Sequence, residues 1–357
     1  MDDTVGLESC AQIKVVGIGG GGSNAIDRMI EVGVRGVEFV ALNTDAQALA
    51  RSNAPVRMRI GERITRGLGS GGDPSVGEQA VRESSEEITE LLSGADMVFV
   101  TAGMGGGTGT GGAPLVAEIS RGLGALTVGV VTKPFSFEGD QRMQVALQGL
   151  EQLHGHADTL VVIPNDRLLQ IVDRRASIRD AFVAADDLLR QGIQGISDLI
   201  TGTGLVNVDF NDVKTIMKDG GTALMAIGVG RGQTRALDAA TQAVNNQLLE
   251  VTVDGAKGVL FNIKGGKELT LYEVNSAAEL IKKMVDPEAN IIFGAAIDDS
   301  LGGLVQITVI ATGFDGMAKR LAVREQRARK ARPDKMVQFP LRNLEQDDLD
   351  IPAFLRR

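Results

Sequence analysis

Tryptophan is absent from this chain of 357 residues, tyrosine occurs once, and all aromatics together make up 3% of it. An aromatic core is thereby excluded, and Val, Ile, Leu, Ala and Met must fill the interior, a composition that suits buried parallel strands. A single cysteine, Cys10, excludes an internal disulfide framework and fits a reducing cytosol, although it reads equally well as an inert thiol. The two histidines, His154 and His156, are too few for a zinc site without further ligands. No apolar run approaches the roughly 18 residues of a membrane span, and the acidic opening Met1-Asp2-Asp3-Thr4 is unlike a signal peptide, so a cytoplasmic location is expected. Positive charge is the scarcer sign: Lys+Arg 37 against Asp+Glu 46 gives a net charge of -9, which repels a phosphate backbone and disfavours a nucleic-acid partner.

Glycine is what the chain has in excess, 46 residues with no strict repeat, so these glycines are local punctuation. The length makes two domains the default expectation. Short β-branched runs alternate with longer amphipathic stretches in the first half, the pattern of βαβ units and a parallel sheet. Strands are expected at 13–18, 37–42, 97–101, 127–131 and 159–163, with helices at 24–31, 75–92, 114–123 and 141–153. Ile178, Phe182, Ala185, Leu188, Leu189, Ile193, Ile196 and Ile200 recur at helical spacing and predict one long helix over 177–200. Beyond it come helices at 212–218, 235–250 and 276–285 and strands at 223–228, 258–263, 291–296 and 305–312, which read as a second α/β domain hinged on that helix. After Gly316 the periodicity fades into a basic stretch at 319–332 and a tether reaching 347, and the chain closes with an apolar cluster at 348–357 that is either a docking peptide or a sticky end.

Two glycine runs carry the chemistry. Gly17-Ile18-Gly19-Gly20-Gly21-Gly22-Ser23-Asn24 lies between the first strand and the first helix, where backbone N–H groups and the helix N-terminus make an anion site. The run alone is shared with dinucleotide enzymes, which keeps a nicotinamide-dependent oxidoreductase open as an alternative. Gly103-Met104-Gly105-Gly106-Gly107-Thr108-Gly109-Thr110-Gly111-Gly112 repeats the arrangement after another strand, and neither run holds the Gly-Lys-Ser/Thr of a P-loop. A third patch, Gly67-Leu68-Gly69-Ser70-Gly71-Gly72, is either a flexible loop or a cover for a terminal phosphate.

Gly105-Gly106-Gly107-Thr108-Gly109-Thr110-Gly111 resembles the signature of the tubulin/FtsZ family, and the likeness runs from about Ile13 to Gly316 and again over 348–357. The resemblance implies a parallel-sheet GTP-binding domain at 13–176 after an extension at 1–12, a central helix at 177–203, a smaller α/β domain at 204–316, a linker at 317–347 and a docking peptide at 348–357. It implies a GTPase that stacks head to tail into the filament of the mid-cell division ring and hydrolyses GTP between successive subunits. A filament GTPase of plasmid partition or cell shape is the related alternative. By motif, Gly20, Gly21, Gly22, Ser23 and Asn24, with Gly105, Gly106, Gly107, Thr108, Gly109 and Thr110, would hold the phosphates, and Asn43 and Asp45 would form a further nucleotide loop. Pro134, Glu138 and Arg142 match the segment that faces the ribose and nucleotide.

Guanine needs acceptors for its N1–H and amino group and a donor for O6, and Asn165 with Asp186 matches the family positions that supply them. Phe182, four residues before Asp186, shares its helix face and is placed to stack on the base; the plainer reading is a core Phe and a solvated Asp. Asp209 and Asp212, assisted by Asn207, match the acids that enter the pocket of the next subunit and polarise the attacking water, although Asp209 is also a plausible helix cap. The implied ligands are GTP and GDP, with Mg2+ carried on the phosphates. The implied partners are further copies of the chain, division regulators, and membrane-tethering adaptors of the FtsA, ZipA or SepF type that engage Asp348–Arg357.

Overall fold

The computed structural model describes residues 11–169, 175–201, 206, 208–245 and 255–314. The strands are β1 (Ile13–Ile18), β2 (Glu38–Asn43), β3 (Val56–Arg59), β4 (Met97–Gly103), β5 (Leu126–Lys133), β6 (Thr159–Pro164), β7 (Gly221–Gly230), β8 (Gly258–Gly265), β9 (Asn290–Ile297) and β10 (Val305–Thr312). They form one sheet in the order β3-β2-β1-β4-β5-β6-β7-β10-β8-β9. From β3 to β7 every pairing is parallel; β10 then runs antiparallel to both β7 and β8, and β9 is parallel to β8.

The helices are α1 (Gly19–Val32), α2 (Ala46–Arg51), α3 (Glu62–Thr65), α4 (Pro74–Glu83), α5 (Ser85–Leu92), α6 (Thr108–Gly122), α7 (Asp140–His156), α8 (Asn165–Leu168), α9 (Ile178–Thr201), α10 (Phe210–Met217), α11 (Arg235–Val244) and α12 (Leu271–Met284). Alternating strand residues enter two cores. Val15 and Phe99 point into the layer with Ile26 and Met29 of α1 and Leu189, Ile193 and Ile196 of α9. Val16, Val98 and Val100 meet Val81 of α4, Val116 of α6 and Leu153 of α7 on the other face. Burial on both faces explains the continuous apolar character of these strands.

The structure moves several expected boundaries. Helix α1 begins at Gly19 rather than at 24, and α6 begins at Thr108 rather than at 114, with Pro114 inside it, so both glycine runs are partly helical. Tertiary packing overrides the low helix propensity of glycine: a Cβ at Gly111 would lie 1.9 Å from the Pro74 carbonyl oxygen, and one at Gly77 2.4 Å from that of Gly107. These glycines let α4 and α6 touch backbone to backbone. The helix expected at 75–92 is two helices broken at Ser84. Helix α12 starts at Leu271, five residues ahead of the expectation of 276, because Thr270 and Glu273 form a capping box. Strand β3 was not anticipated; Val-Arg-Met-Arg at an edge gives too short and too polar a signal. The extension, linker and docking peptide expected at 1–12, 317–347 and 348–357 lie wholly or largely outside the described residues, as does Asn207.

Candidate nucleotide site

At the C-terminal ends of the parallel strands a cavity of about 410 Å³ opens between Ile18 at the end of β1, Gly103 at the end of β4, Thr132 of β5 and Asn165 after β6. Crevices at this edge of a parallel sheet are the usual ligand site of open α/β folds. Helices α1 and α6 both start here, and neither N-terminus has a side-chain cap or an acidic first turn. Two sets of free backbone N–H groups with positive dipole ends therefore converge on one space, which favours an anion.

The glycines divide into those the fold requires and those it does not. A Cβ at Gly22 would lie 2.5 Å from the Thr101 carbonyl oxygen and one at Gly107 2.2 Å from Ser70 Oγ, so packing alone forbids side chains there. Gly20 and Gly106 line the cavity, and a Cβ on either meets nothing within 4 Å. The space a side chain would fill at these two positions fits a phosphate against bare backbone.

Recognition groups lie toward β6. Asn165, 4% exposed, lines the cavity, and its buried Oδ1 has no hydrogen-bond partner among the described residues. Burial pushes the Asp186 carboxyl up to about 7, against the pull of the Arg28 guanidinium. Phe182 is 40% exposed and makes an edge contact with Phe135 at 5.4 Å, leaving the ring open to the cavity rather than in the core. A partly buried acid beside an exposed aromatic is the reverse of the ordinary arrangement. Glu138 accepts from the Phe135 N–H at 2.8 Å and pairs with Arg142 at 3.1 Å, and Pro134 borders the same wall. Three strand steps from β1 to β6, at about 4.8 Å each, give the cavity roughly 14 Å of breadth, enough for a base at the β6 side and phosphates over β1 and β4.

Of the expected contacts, Gly20, Gly21, Asn24, Gly106, Gly107, Thr108, Gly109, Pro134, Glu138, Arg142, Asn165, Phe182 and Asp186 line this cavity. Gly22, Ser23, Asn43, Asp45, Gly105 and Thr110 do not line it. Thr110 Oγ1 accepts from the Gly105 N–H at 2.8 Å and so fixes that loop, where Gly105 has φ +96. Asp45 caps α2 through Gln47 and Ala48, and Asn43 Oδ1 accepts from the Asp45 N–H. Ser23 Oγ and Asn43 Nδ2 are buried without partners among the described residues. Ile18, Gly19, Gly103 and Met104, which the sequence placed within the two glycine runs without singling them out, complete the lining with Ser70, Thr132 and Ala185. Ser70 was signalled only by the third glycine patch.

Asp209 and Asp212 do not line the cavity. Asp209 caps α10, accepting from the Asn211 N–H at 3.1 Å, and both acids are exposed. On the same helix, Lys214 and Lys218 border Leu126 and Asp158, at the starts of β5 and β6. The run of β5 from Leu126 to Lys133 spans roughly 23 Å at about 3.3 Å per residue. With roughly 7 Å of helix between Asp209 and Lys214, these acids cannot touch a phosphate in their own molecule.

A doubly wound sheet with two uncapped helix starts over one cavity has the form of a nucleotide-binding α/β protein. The GTPase-domain model of the Tubulin/FtsZ family matches residues 12–173, and the C-terminal-domain model of the FtsZ family matches 221–315. The chain belongs to the FtsZ family of GTPases. It is 48% identical to the empty FtsZ dimer of M. jannaschii, covering 86% of this chain and 89% of that one with a TM-score of 0.83. At 20% identity, CetZ2 of Haloferax volcanii, solved as a GTPγS-bound protofilament, covers 89% of this chain and 98% of that one with a TM-score of 0.73, which shows the shared fold. These matches give no support to the oxidoreductase alternative. No helix among the described residues is long and apolar enough to cross a membrane.

Proposed function

We propose that the chain is the GTPase of a cell-division filament whose active site is divided between two copies. Guanine nucleotide occupies the cavity, its base on Phe182 and between Asn165 and Asp186, its ribose by Glu138 and Arg142, and its phosphates on the starts of α1 and α6. Asn165 has an unpartnered acceptor, and Asp186 when ionised supplies acceptors for the N1–H and amino group of guanine. Mg2+ fits this site only as a rider on the phosphates, since no cluster of metal-ligating side chains occurs among the described residues.

The observation that carries the divided site is the separation of Asp209 and Asp212 from the cavity. A head-to-tail copy brings the α10 face of one molecule over the glycine loops of the next, where the two acids polarise the attacking water, with Asn207 assisting. The limits 13–176, 177–203 and 204–316 are the proposed domains, and 317–347 the proposed tether. Asp348–Arg357 is the proposed docking peptide for membrane-tethering adaptors at mid-cell. A mixing experiment tests the core of the proposal: a variant with Gly20→Asp cannot bind nucleotide and a variant with Asp209→Ala and Asp212→Ala cannot fire it. Turnover rises on mixing two individually inactive proteins if the site is shared; absence of rescue refutes it.

A further inference from the structure

A second cavity, of about 190 Å³, lies at the other end of β5 from the nucleotide cavity. Leu126, the first residue of β5, and Asp158, just before β6, border it together with Arg121, Lys214 and Lys218. Arg121 is already matched: its Nε pairs with the buried Asp158 at 3.3 Å, and its Nη2 with Asp219. Lys214, half-buried, and Lys218, exposed, make no ion pair or side-chain hydrogen bond among the described residues. Three cations against two carboxylates leave positive charge to spare here, in a chain whose net charge is -9.

Head-to-tail stacking has a use for that charge. Asp209 caps α10 and Asp212 lies in its first turn, so stacking carries two carboxylates against the phosphates of the next molecule, where like charges repel. A stack that forms needs cations on the same face, and Lys214 and Lys218, at the end of α10, are the ones that helix carries. Helical rise places Lys218 about 9 Å beyond Asp212. On the receiving face, one to two strand steps, about 5–10 Å, separate phosphates over β1 and β4 from the segment that follows β5. That segment leads to Asp140, an exposed carboxylate at the start of α7 with no side-chain partner among the described residues. The other acids of this rim are engaged: Glu138 pairs with Arg142 at 3.1 Å, and Asp166 accepts from the Ser136 N–H at 2.8 Å.

We propose that the cavity at the start of β5 receives the Asp140 carboxylate of the next molecule in the stack, held by Lys218 with Lys214 beside it. This rests on the reading of the chain as a head-to-tail filament. The contact is heterologous, lysines on one face and carboxylate on the opposite one, so it repeats along a filament without closing on itself. It offsets the repulsion between the α10 acids and the phosphates, and it fixes the register in which those acids arrive.

Sedimentation of the full chain with GTP over a range of protein concentrations reads the assembly threshold. Lys218→Glu and Asp140→Lys each raise it about fivefold, since one partly exposed ion pair is replaced by repulsion. Both positions are exposed, and thermal melts matching the unaltered chain show that each variant is folded. Mixing the two variants in equal amounts returns the threshold to within about twofold of the unaltered chain, because in an alternating filament every contact again joins unlike charges. The double variant Lys218→Glu/Asp140→Lys recovers to the same extent. Thresholds that do not rise in the single variants, or that stay raised in the mixture, overturn the pairing; recovery in the double variant without recovery in the mixture does so too, since it places the contact within one molecule. Failure of the unaltered chain to sediment with GTP at any concentration overturns the head-to-tail reading itself.

Discussion

On the proposed reading of the cavity, a carboxyl held near neutrality makes guanine recognition depend on pH. Burial raises Asp186 from 3.8 to about 7, so below that pH it carries a proton that would have to leave before it accepts from guanine. GDP affinity is expected to fall by up to about tenfold per pH unit below about 7 and to level off above it, and Asp186→Asn flattens the profile; calorimetry across this range is the check. For stability the sign is opposite. The folded chain keeps a proton that the unfolded chain has lost between pH 3.8 and about 7, so this group lowers stability increasingly as pH rises through that window. Glycines separate in the same way by what surrounds them. Gly20→Ala leaves the melting temperature unchanged or higher, since alanine is the better helix former, and weakens nucleotide about tenfold or more. Gly111→Ala drives a methyl into the Pro74 carbonyl and destabilises the fold by about 1–3 kcal/mol. Thermal melts paired with nucleotide titrations distinguish the two classes.

Among the elements, α11 and α12 are joined by a buried cation. Arg235, 8% exposed, donates Nε to Glu273 at 2.6 Å and Nη1 to Glu268 at 3.0 Å, and also reaches the Gly303 and Glu268 carbonyls. Its guanidinium holds the Glu273 carboxyl at about 2, well below 4.5. Glu273 also closes the capping box of α12, so one carboxylate serves the helix start and the ion pair. Arg235→Met strands that carboxylate and costs about 3 kcal/mol, measured by urea unfolding at neutral pH. The Glu273 contribution is complete above pH 4.5 and fades as pH falls toward about 2, so the gap between the two proteins narrows in acid.

At the scale of the molecule, the pairing of β6 with β7 makes one sheet of what reads in sequence as two domains. Helix α9 lies across this junction: a Cβ at Gly192 would lie 3.1 Å from Met225 Sδ on β7, and one at Gly195 2.9 Å from Thr308 Cγ2 on β10. The described residues up to Phe314 belong to one compact unit. Deleting 316–357 is expected to leave the melting temperature and GTP turnover within error and to abolish adaptor binding. Loss of turnover in that truncation would place part of the catalytic machinery in the tail.

The alternation of Val15 and Val16, of Phe99 and Val100, and the helical spacing from Ile178 to Ile200 are local patterns, and the parallel strands, the long helix and the two glycine runs follow from them. The family resemblance singled out Asn165, Phe182 and Asp186, whose residue types suit a guanine base, where the residues alone read as a core Phe and a solvated Asp. Whether a glycine serves a phosphate or a neighbouring helix was not legible: Gly106 and Gly111 belong to one run, and only the approach of Pro74 to the second tells them apart. The cavity at the start of β5 was equally invisible, since Arg121, Asp158 and Lys218 border one space only when three distant segments meet. Periodicity is written along the chain, whereas close approach is a property of segments far apart in it, and the fold alone decides that.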